Sequence, residues 1–501
     1  MLSTVLSYLE NTAKAYPQKT ALVDRDGGMT FACLRDRSRL LAAGIIARTS
    51  ARNEPIAVYL PKTKNCIVAF SAILYSGNCY APLDVKSPRS RISKIIEKLG
   101  PQLIISDIAH SQYLREAGVS DTLIVCMDLL EMDNLPPLGD MPITIDTDPI
   151  YIMHTSGSTG IPKGVVITHR GVIDYIEWAK ACYSITSSDI IGNQAPFYFD
   201  NSTLDIFLCL ATGATLVVIP EEHFLFPVRL IEYLAEHGIT FIFWVPSVIA
   251  AVATTDALCT VSPPLNKILF AGEVMSNRHL NYWRRKCPNA LFSNLYGPTE
   301  ITVDCTYYIV DREFADDEPL PIGLPCRNSD VFILNEQGAL AAPEERGELC
   351  VRGSSLALGY WNDWEKTAAS FTQNPLNPHY PERIYRTGDL VYYNEKGEIN
   401  FAGRRDSQIK HLGYRIELGE IETTLLAIPQ VRNAFAFYDE VKKQIGVIYE
   451  TASGSELNNL RKALLERLPK YMVPTIFIQA QAFPLTPTGK IDRKALMEQL
   501  C

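Results

Sequence analysis

The sequence contains no C-x-x-C pair. Its 12 cysteines stand singly between Cys33 and Cys501, which argues against zinc ribbons and thioredoxin-type redox motifs. Several lie inside apolar runs, Cys66 in "NCIVAF" and Cys209 in "IFLCLA", and read as small buried hydrophobes in a reducing compartment. No apolar run reaches the ~20 residues needed to span a bilayer. The opening stretch "MLSTVLSYLENTAKAYPQKTALV" has no basic leader region. It places Leu2, Val5, Leu6 and Leu9 at helical spacing, an amphipathic helix rather than a signal peptide. The expectation is a cytoplasmic protein with no membrane partner. Positive charge is not in excess either: 47 Lys and Arg stand against 56 Asp and Glu, a net charge of -9. That leaves no footprint for nonspecific nucleic-acid binding, although a nucleotide ligand needs only a local cationic site. Internal repeats and low-complexity tracts are absent.

What is present is an ordinary globular composition, 47% hydrophobic and 21% charged over 501 residues, enough for roughly two to four domains. Over the first ~220 residues, and on through the strand at 240–245, short β-rich runs alternate with helical patterns. "PIAVYL" (55–60), "QLIISD" (102–107), "TLIVCMD" (122–128), "PIYIMHTSGSTG" (149–160), "ATLVVIP" (214–220) and "TFIFWV" (240–245) read as strands. "NCIVAFSAILYSG" and "PVRLIEYLAEHG" read as helices ending at Gly77 and Gly238. This predicts an α/β architecture with mostly parallel sheets flanked by helices. Beyond residue 320, "SDVFILNEQG", "GELCVRG" and "LVYYNEKGEINFAG" predict short strands joined by glycine turns, a small barrel-like or antiparallel part. The last stretch predicts a small α+β unit: helices in "ELGEIETTLLAI" and "SELNNLRKALLERLPKYM", strands in "VRNAFAFYD" and "QIGVIYE". The boundary is placed at Asp406, giving domains 1–405 and 406–501.

The densest chemical signal is "HTSGSTGIPKGVVITH" (154–169). Glycines let backbone N–H groups approach an anion, Ser and Thr add hydroxyl donors, and Lys163 adds a point charge. The set Thr155, Ser156, Gly157, Ser158, Thr159, Gly160 and Lys163 suits a polyphosphate. It is not a Walker A loop, which ends G-K-[ST] before a helix. In "NLYGPTE" (294–300), Tyr296 offers a face that can stack a base and Glu300 a carboxylate that can help hold Mg²⁺. In "YRTGDLV" (385–391), Asp389 follows a glycine and could bind ribose hydroxyls. Taken singly, the last two also read as ordinary turns. "GRRDSQIKHLGYRIELGEIE" (403–422) reads alone as a solvated loop entering a capped helix.

Seven stretches in fixed order resemble the adenylate-forming superfamily, and within it the adenylation domains of nonribosomal peptide synthetases and the D-alanine–carrier-protein ligases. They are "YIMHTSGSTGIPKGVVITH", "FYFDNSTLDIF", "NLYGPTEITV", "GELCVRGSSLALGYWN", "YRTGDLV", "GRRDSQIKHLGYRIELGEIE" and "PLTPTGKIDRKAL". The resemblance covers nearly the whole chain. It implies an ATP-dependent enzyme that makes an acyl-adenylate, releases pyrophosphate and transfers the acyl group to a phosphopantetheine thiol. It implies ATP contacts from the 155–163 loop, Gly272, Glu273, Tyr296, Gly297, Thr299, Asp389 and Arg404, with Mg²⁺ at Glu300. Lys490 and Lys163 would be the catalytic cations, Lys490 bridging the substrate carboxylate, ribose and α-phosphate. Asp406 matches the family's hinge, about which a mobile C-terminal unit alternately delivers the Lys490 loop and the 403–422 segment.

By the same resemblance, Asp200 takes the α-ammonium of an amino-acid substrate. A buried carboxylate needs such a partner, although Asp200 or Asn201 also suits a helix N-cap. The pocket positions implied are Asn201, Leu204, Phe243, Leu269, Ala271, Leu295, Val303 and Asp304, with Lys490 at the carboxylate end.

 Most of these residues are apolar, and Phe243 and Leu295 should limit depth. Asp304 is the exception: a carboxylate in an apolar pocket should meet a hydroxyl or a cation. That suggests a hydroxy amino acid such as serine or threonine, or a small diamino acid, unless Asp304 points away and bonds backbone. Alanine is a further alternative but less favoured, because the chain departs from the D-alanine ligases, which carry Cys where it has Ala271 and a small apolar residue where it has Asp304. Acyl-CoA synthetases, which lack the need for Asp200, and a catalytically silent adenylate-binding protein are the rival readings. With no carrier segment after "GKIDRKALMEQLC", the expected partner is a separate phosphopantetheinylated carrier protein, unless the chain is excised from a larger synthetase.

Overall fold

The computed structural model describes residues 4–130, 138–139, 141–157, 160–451, 459–484 and 496–497. Ser158, Thr159 and Lys490 lie outside them. The chain divides into two compact units. The first comprises residues 1–85, 99–154 and 164–405; the second comprises 86–98, 155–163 and 406–501.

The first unit is built on two mostly parallel sheets. Among the described residues, one runs in the order Leu324–Pro325, Thr306–Ile309, Leu291–Tyr296, Lys267–Phe270, Phe241–Trp244, Ile190–Asn193, Thr215–Val218, Thr20–Asp24, Gly27–Thr30. Its six central strands are parallel, and the outer ones antiparallel. Strands such as "FIFW" and "KILF" are apolar at successive positions because both faces are covered. Phe243, Leu269 and Leu295 face one core, while Ile242, Trp244, Ile268 and Phe270 face another, as the two-residue period of a strand requires. The second sheet centres on the parallel strands Pro55–Tyr59, Cys79–Pro82, Leu103–Ser106 and Ile124–Cys126. It shares the first core with helices Phe31–Ile46, Lys64–Tyr75, His169–Cys182 and Asn201–Thr212. Helix Lys64–Tyr75 is buried continuously from Cys66 to Tyr75, and its composition is accordingly apolar all round.

The predicted barrel-like part is an antiparallel sheet of Ser329–Leu334, Gly347–Gly353, Arg383–Tyr393, Phe371–Gln373 and Ile399–Arg404. In the second unit, a hairpin of Gln408–His411 and Tyr414–Glu417 turns on Leu412 and Gly413. Both turn residues have positive φ, 53° and 79°, the requirement of a tight two-residue hairpin turn. Helix Leu418–Leu426 packs on strands Val431–Asp439, Gln444–Thr451 and Ile476–Gln479. The long helix read in "SELNNLRKALLERLPKYM" is shorter among the described residues: Leu460–Leu465, then a single 3₁₀ turn at Lys470–Met472. Pro469 separates the two, because it has no N–H to continue a helix. No helix among the described residues is long and apolar enough to cross a membrane.

Candidate active site

The site in the first unit forms where the parallel strands end, the edge at which open α/β sheets bind ligands. Strand Leu291–Tyr296 delivers Leu295 and Tyr296 there, and the chain then turns through Gly297 and Pro298 into a 3₁₀ turn at Thr299–Ile301. Gly297 is required: a Cβ on it would fall on the carbonyl oxygen of Val303 and lie 2.5 Å from Asp304 Cα. The chain crosses back over Gly297 through Thr302 and Val303, both with left-handed φ, 61° and 72°. Such φ values are strained for β-branched residues. Thr302 Oγ1 holds the crossing by donating to the Ser355 carbonyl at 2.7 Å.

Tyr296 donates its hydroxyl to Asp389 Oδ2, and Arg404 Nη1 donates to Asp389 Oδ1 at 2.5 Å. Asp389 and Arg404 are direct partners across two antiparallel strands, so pairing register sets the contact. Burial and the adjacent carboxylate hold the Tyr296 phenol protonated, well above its usual range. A carboxylate has about four acceptor positions, so Asp389 keeps capacity for sugar hydroxyls. Behind it, Glu348 Oε1 accepts the Gly388 N–H at 3.1 Å, while Oε2 accepts from Arg386 Nη2 at 2.5 Å. Glu300, fully buried, accepts the Tyr360 hydroxyl at 2.8 Å. Glu273 accepts the Ser247 N–H at 2.8 Å, beside Gly272 with φ 96°. Thr299 is buried.

Among the pocket residues, Phe243 pairs with Leu269 in register, and Ala271 and Leu295 continue the same face. These, with Leu204 and Val303, are buried in one core. Asp200 and Asn201 are half-buried at the start of helix Asn201–Thr212; Asp200 occupies the N-cap position but makes no side-chain capping bond. Asp304 is buried and accepts the Tyr175 hydroxyl at 2.6 Å. The hydroxyl partner that the sequence argument sought in a ligand is therefore supplied by the protein, across 129 residues of chain. Burial and that carboxylate keep Tyr175 protonated.

The phosphate-loop candidates Thr155, Ser156, Gly157, Gly160 and Lys163 fall in the second unit. Ser156 Oγ donates to the Arg415 carbonyl at 2.8 Å and accepts the Glu417 N–H at 3.1 Å. The Gly157 N–H reaches Glu420 Oε2 at 3.3 Å, and Glu420 is paired with Arg91. Lys163 Nζ lies 3.7 Å from Glu417. The loop's donors thus already hold carboxylates and a carbonyl, the chemistry of an anion-binding loop. Thr155 Oγ1 is buried with no partner, and a Cβ at Gly157 would strike the Ile161 carbonyl. The first leaves a hydroxyl donor for an anion, and the second shows that the loop's own path requires glycine. Asp406 opens this unit and accepts the Gln408 N–H at 3.2 Å.

Tyr175, Glu348 and Tyr360 are the site partners that sequence reasoning missed. Glu348 and Tyr360 sit inside a quoted motif, "GELCVRGSSLALGYWN", but their targets lie 40 and 60 residues away. For Tyr175 the linear pattern offers no signal.

Comparison with known proteins bears on this geometry. A model described as AMP-binding enzyme matches residues 9–361, and one described as AMP-binding enzyme C-terminal domain matches residues 420–490. Tyrocidine synthase 2 of Brevibacillus parabrevis is 34% identical over 499 residues, covering 99% of this chain and 14% of that synthase. The chain spans 44% of tyrocidine synthase 1 from the same organism, so it corresponds to only part of these relatives. Zwittermicin A synthase ZmaJ of Bacillus cereus is 32% identical over 510 residues, covering 99% of this chain and 95% of that protein. A solved NRPS protein containing adenylation and PCP domains superposes with a TM-score of 0.85 at 27% identity, covering 99% of this chain and 84% of that one. The o-succinylbenzoate CoA synthetase of Bacillus subtilis, at 23% identity and a TM-score of 0.85 with 98% of each chain covered, shares the fold. The chain belongs to the AMP-binding enzyme family, the adenylate-forming ligases.

Proposed function

We propose that the protein activates an amino acid as its aminoacyl-adenylate, with release of pyrophosphate, and passes the acyl group to the phosphopantetheine thiol of a carrier protein. The observation that carries this reading is the 296–304 turn. Tyr296, bonded to Asp389, and Glu300 lie on the same short stretch as the pocket residues Val303 and Asp304, with Gly297 packed beneath the latter two. One turn therefore offers a nucleotide end and a side-chain end, as joining an acid to a nucleotide requires. The similarity to nonribosomal synthetase relatives over nearly the full chain supports amino acids as the acids.

In this reading the substrate carboxylate attacks the α-phosphorus of ATP, and the bond to pyrophosphate breaks. Thr155, Ser156, Gly157, Ser158, Thr159, Gly160 and Lys163 bind the β- and γ-phosphates, and Asp389, steadied by Arg404 and Tyr296, binds the ribose. Lys490 stabilises the charge that builds at the α-phosphate. Glu300 fits Mg²⁺, which takes one or two carboxylates together with phosphate oxygens and water. Among the described residues, no three His, Cys, Asp or Glu side chains group as a metal site, so phosphates would complete the shell. The ion would neutralise phosphate charge. Asp200 takes the α-ammonium. The apolar walls Leu204, Phe243, Leu269, Leu295 and Val303 favour a small or medium side chain, and the Asp304–Tyr175 pair can exchange a hydrogen bond with a hydroxyl such as that of serine or threonine. Asp406 serves as the hinge between the 1–405 and 406–501 domains, and a separate carrier protein is the partner.

ATP–pyrophosphate exchange across the common L- and D-amino acids, diamino acids and simple carboxylic acids tests the proposal. Exchange that depends on an α-amino acid and collapses in Asp200→Ala supports it. Exchange only with acids lacking an α-amino group, unchanged by Asp200→Ala, refutes it and leaves the acyl-CoA ligase reading.

A further inference from the structure

Helix Asn201–Thr212 carries an acid that the proposed chemistry does not use. Asp205 is 0% exposed. Its Oδ2 accepts from Asn193 Nδ2 at 2.8 Å, while Oδ1 has no partner. Asn193, also 0% exposed, directs its amide nitrogen to Asp205 and to the Ala195 carbonyl at 3.2 Å, leaving its own Oδ1 without a partner. Gln194 Oε1 is a third buried acceptor with none. Lys62 Nζ donates to the carbonyls of Asn193 and Gln194, at 3.2 and 2.9 Å, and lies 5.9 Å from the Phe197 ring centre. These groups converge on the entry to the 194–200 loop, which joins strand Ile190–Asn193 to the helix and ends in Asp200.

The cluster has an excess of acceptors. Ionised Asp205 would add to that excess, whereas a carboxylic acid converts one acceptor into a donor. Desolvation works in the same direction, pushing Asp205 up to about 7 against the opposing effects of Asn193 and Lys62.

We infer that Asp205 is a positioning residue: by accepting from Asn193 it fixes the loop that presents Asp200 to the substrate's amino group. The functional end of this inference rests on the Asp200 reading above; the structural end rests on the hydrogen bonds alone. Loop and helix start share one strut, so loosening Asp205 should alter amino-acid binding and leave nucleotide binding intact.

The structural end is tested by hydrogen exchange on the full chain. In Asp205→Ala the amides of residues 193–200 should exchange about tenfold faster, with the remaining strands of the first unit unchanged. Asp205→Asn, neutral and able both to donate and to accept, should stay within about twofold of wild type. Lys62→Met, which releases the loop carbonyls from the other side, should loosen the same segment and serves if Asp205→Ala does not fold. An unchanged segment in the folded Ala variant, or in Lys62→Met where the Ala variant does not fold, overturns the inference. So does an Asn variant as loose as Ala, because an amide oxygen at that position still accepts from Asn193.

The functional end uses the amino acid giving the strongest pyrophosphate exchange. Asp205→Ala should raise its KM about tenfold, leaving the KM for ATP unchanged. Equal rises in both overturn the inference. Asp200→Ala is measured in parallel. If it raises the amino-acid KM while Asp205→Ala does not, the inference fails and the Asp200 reading stands. If Asp205→Ala loosens the loop while Asp200→Ala leaves KM unchanged, the Asp200 reading fails and the loop strut stands.

Discussion

Replacing Asp205 by Asn should make the protein more stable at neutral pH, and the gain should depend on pH in one direction. Burial raises the Asp205 carboxyl from 3.8 to about 7. Below 3.8 the acid is protonated in both the folded and unfolded chains, and the group has no effect. Between 3.8 and about 7 the unfolded chain releases its proton while the folded chain keeps it, so stability falls as pH rises; above about 7 the penalty is constant. A displacement of about three pH units at ~1.4 kcal/mol each makes the full penalty ~4 kcal/mol. At pH 5 only ~1.6 kcal/mol of it is present, so the advantage of Asp205→Asn should grow by ~2.5 kcal/mol between pH 5 and pH 8. Urea unfolding followed by tryptophan fluorescence, run on both proteins at both pH values, measures this difference, and subtraction cancels the other titrating groups. A stability difference that is constant with pH, or that grows toward acid, would refute the reasoning.

His169 should set an acid limit: burial lowers its pKa from 6.5 to about 4. Stability should therefore fall by ~3 kcal/mol from pH 7 to pH 4, a loss absent from His169→Gln in the same urea assay. Gly297→Ala should cost about 3 kcal/mol and remove amino-acid-dependent exchange, because the new methyl meets backbone at residues 303 and 304, which cannot rotate away; wild-type exchange in a folded variant would contradict the packing argument. Lys490→Ala should abolish adenylate formation yet leave thioester transfer from supplied aminoacyl-adenylate largely intact, measured as separate half-reactions. Equal losses would count against the two-orientation account.

Much of the fold was legible because strand and helix periodicities survive in single stretches. "FIFW" is apolar because both faces are covered, and it sits in the parallel sheet as predicted. The antiparallel part was legible from glycine-separated strands. Local pattern failed where a partner is distant in sequence. Asp304 looked like an acid awaiting a ligand because nothing near it in sequence could show that Tyr175 donates to it. Asp205 carries no signal in the linear pattern, because its burial on helix Asn201–Thr212 is set by tertiary packing. Among the described residues, the helix read across 455–472 is cut short for the opposite reason: amphipathic spacing continues past Pro469, but the backbone hydrogen bonds do not.

The crossing of Thr302 and Val303 over Gly297 has a consequence for how such a chain can diversify. The two ends of the 297–304 span are pressed together at backbone level, so its length is locked. An inserted or deleted residue would move Tyr296 and Glu300 along with the pocket. Side chains at 303 and 304 leave the crossing by their Cβ atoms and can be exchanged without changing its path. Substitution is open to this span and length change is closed, so on the proposed reading a new preference for the acid can arise while the nucleotide end stays in place.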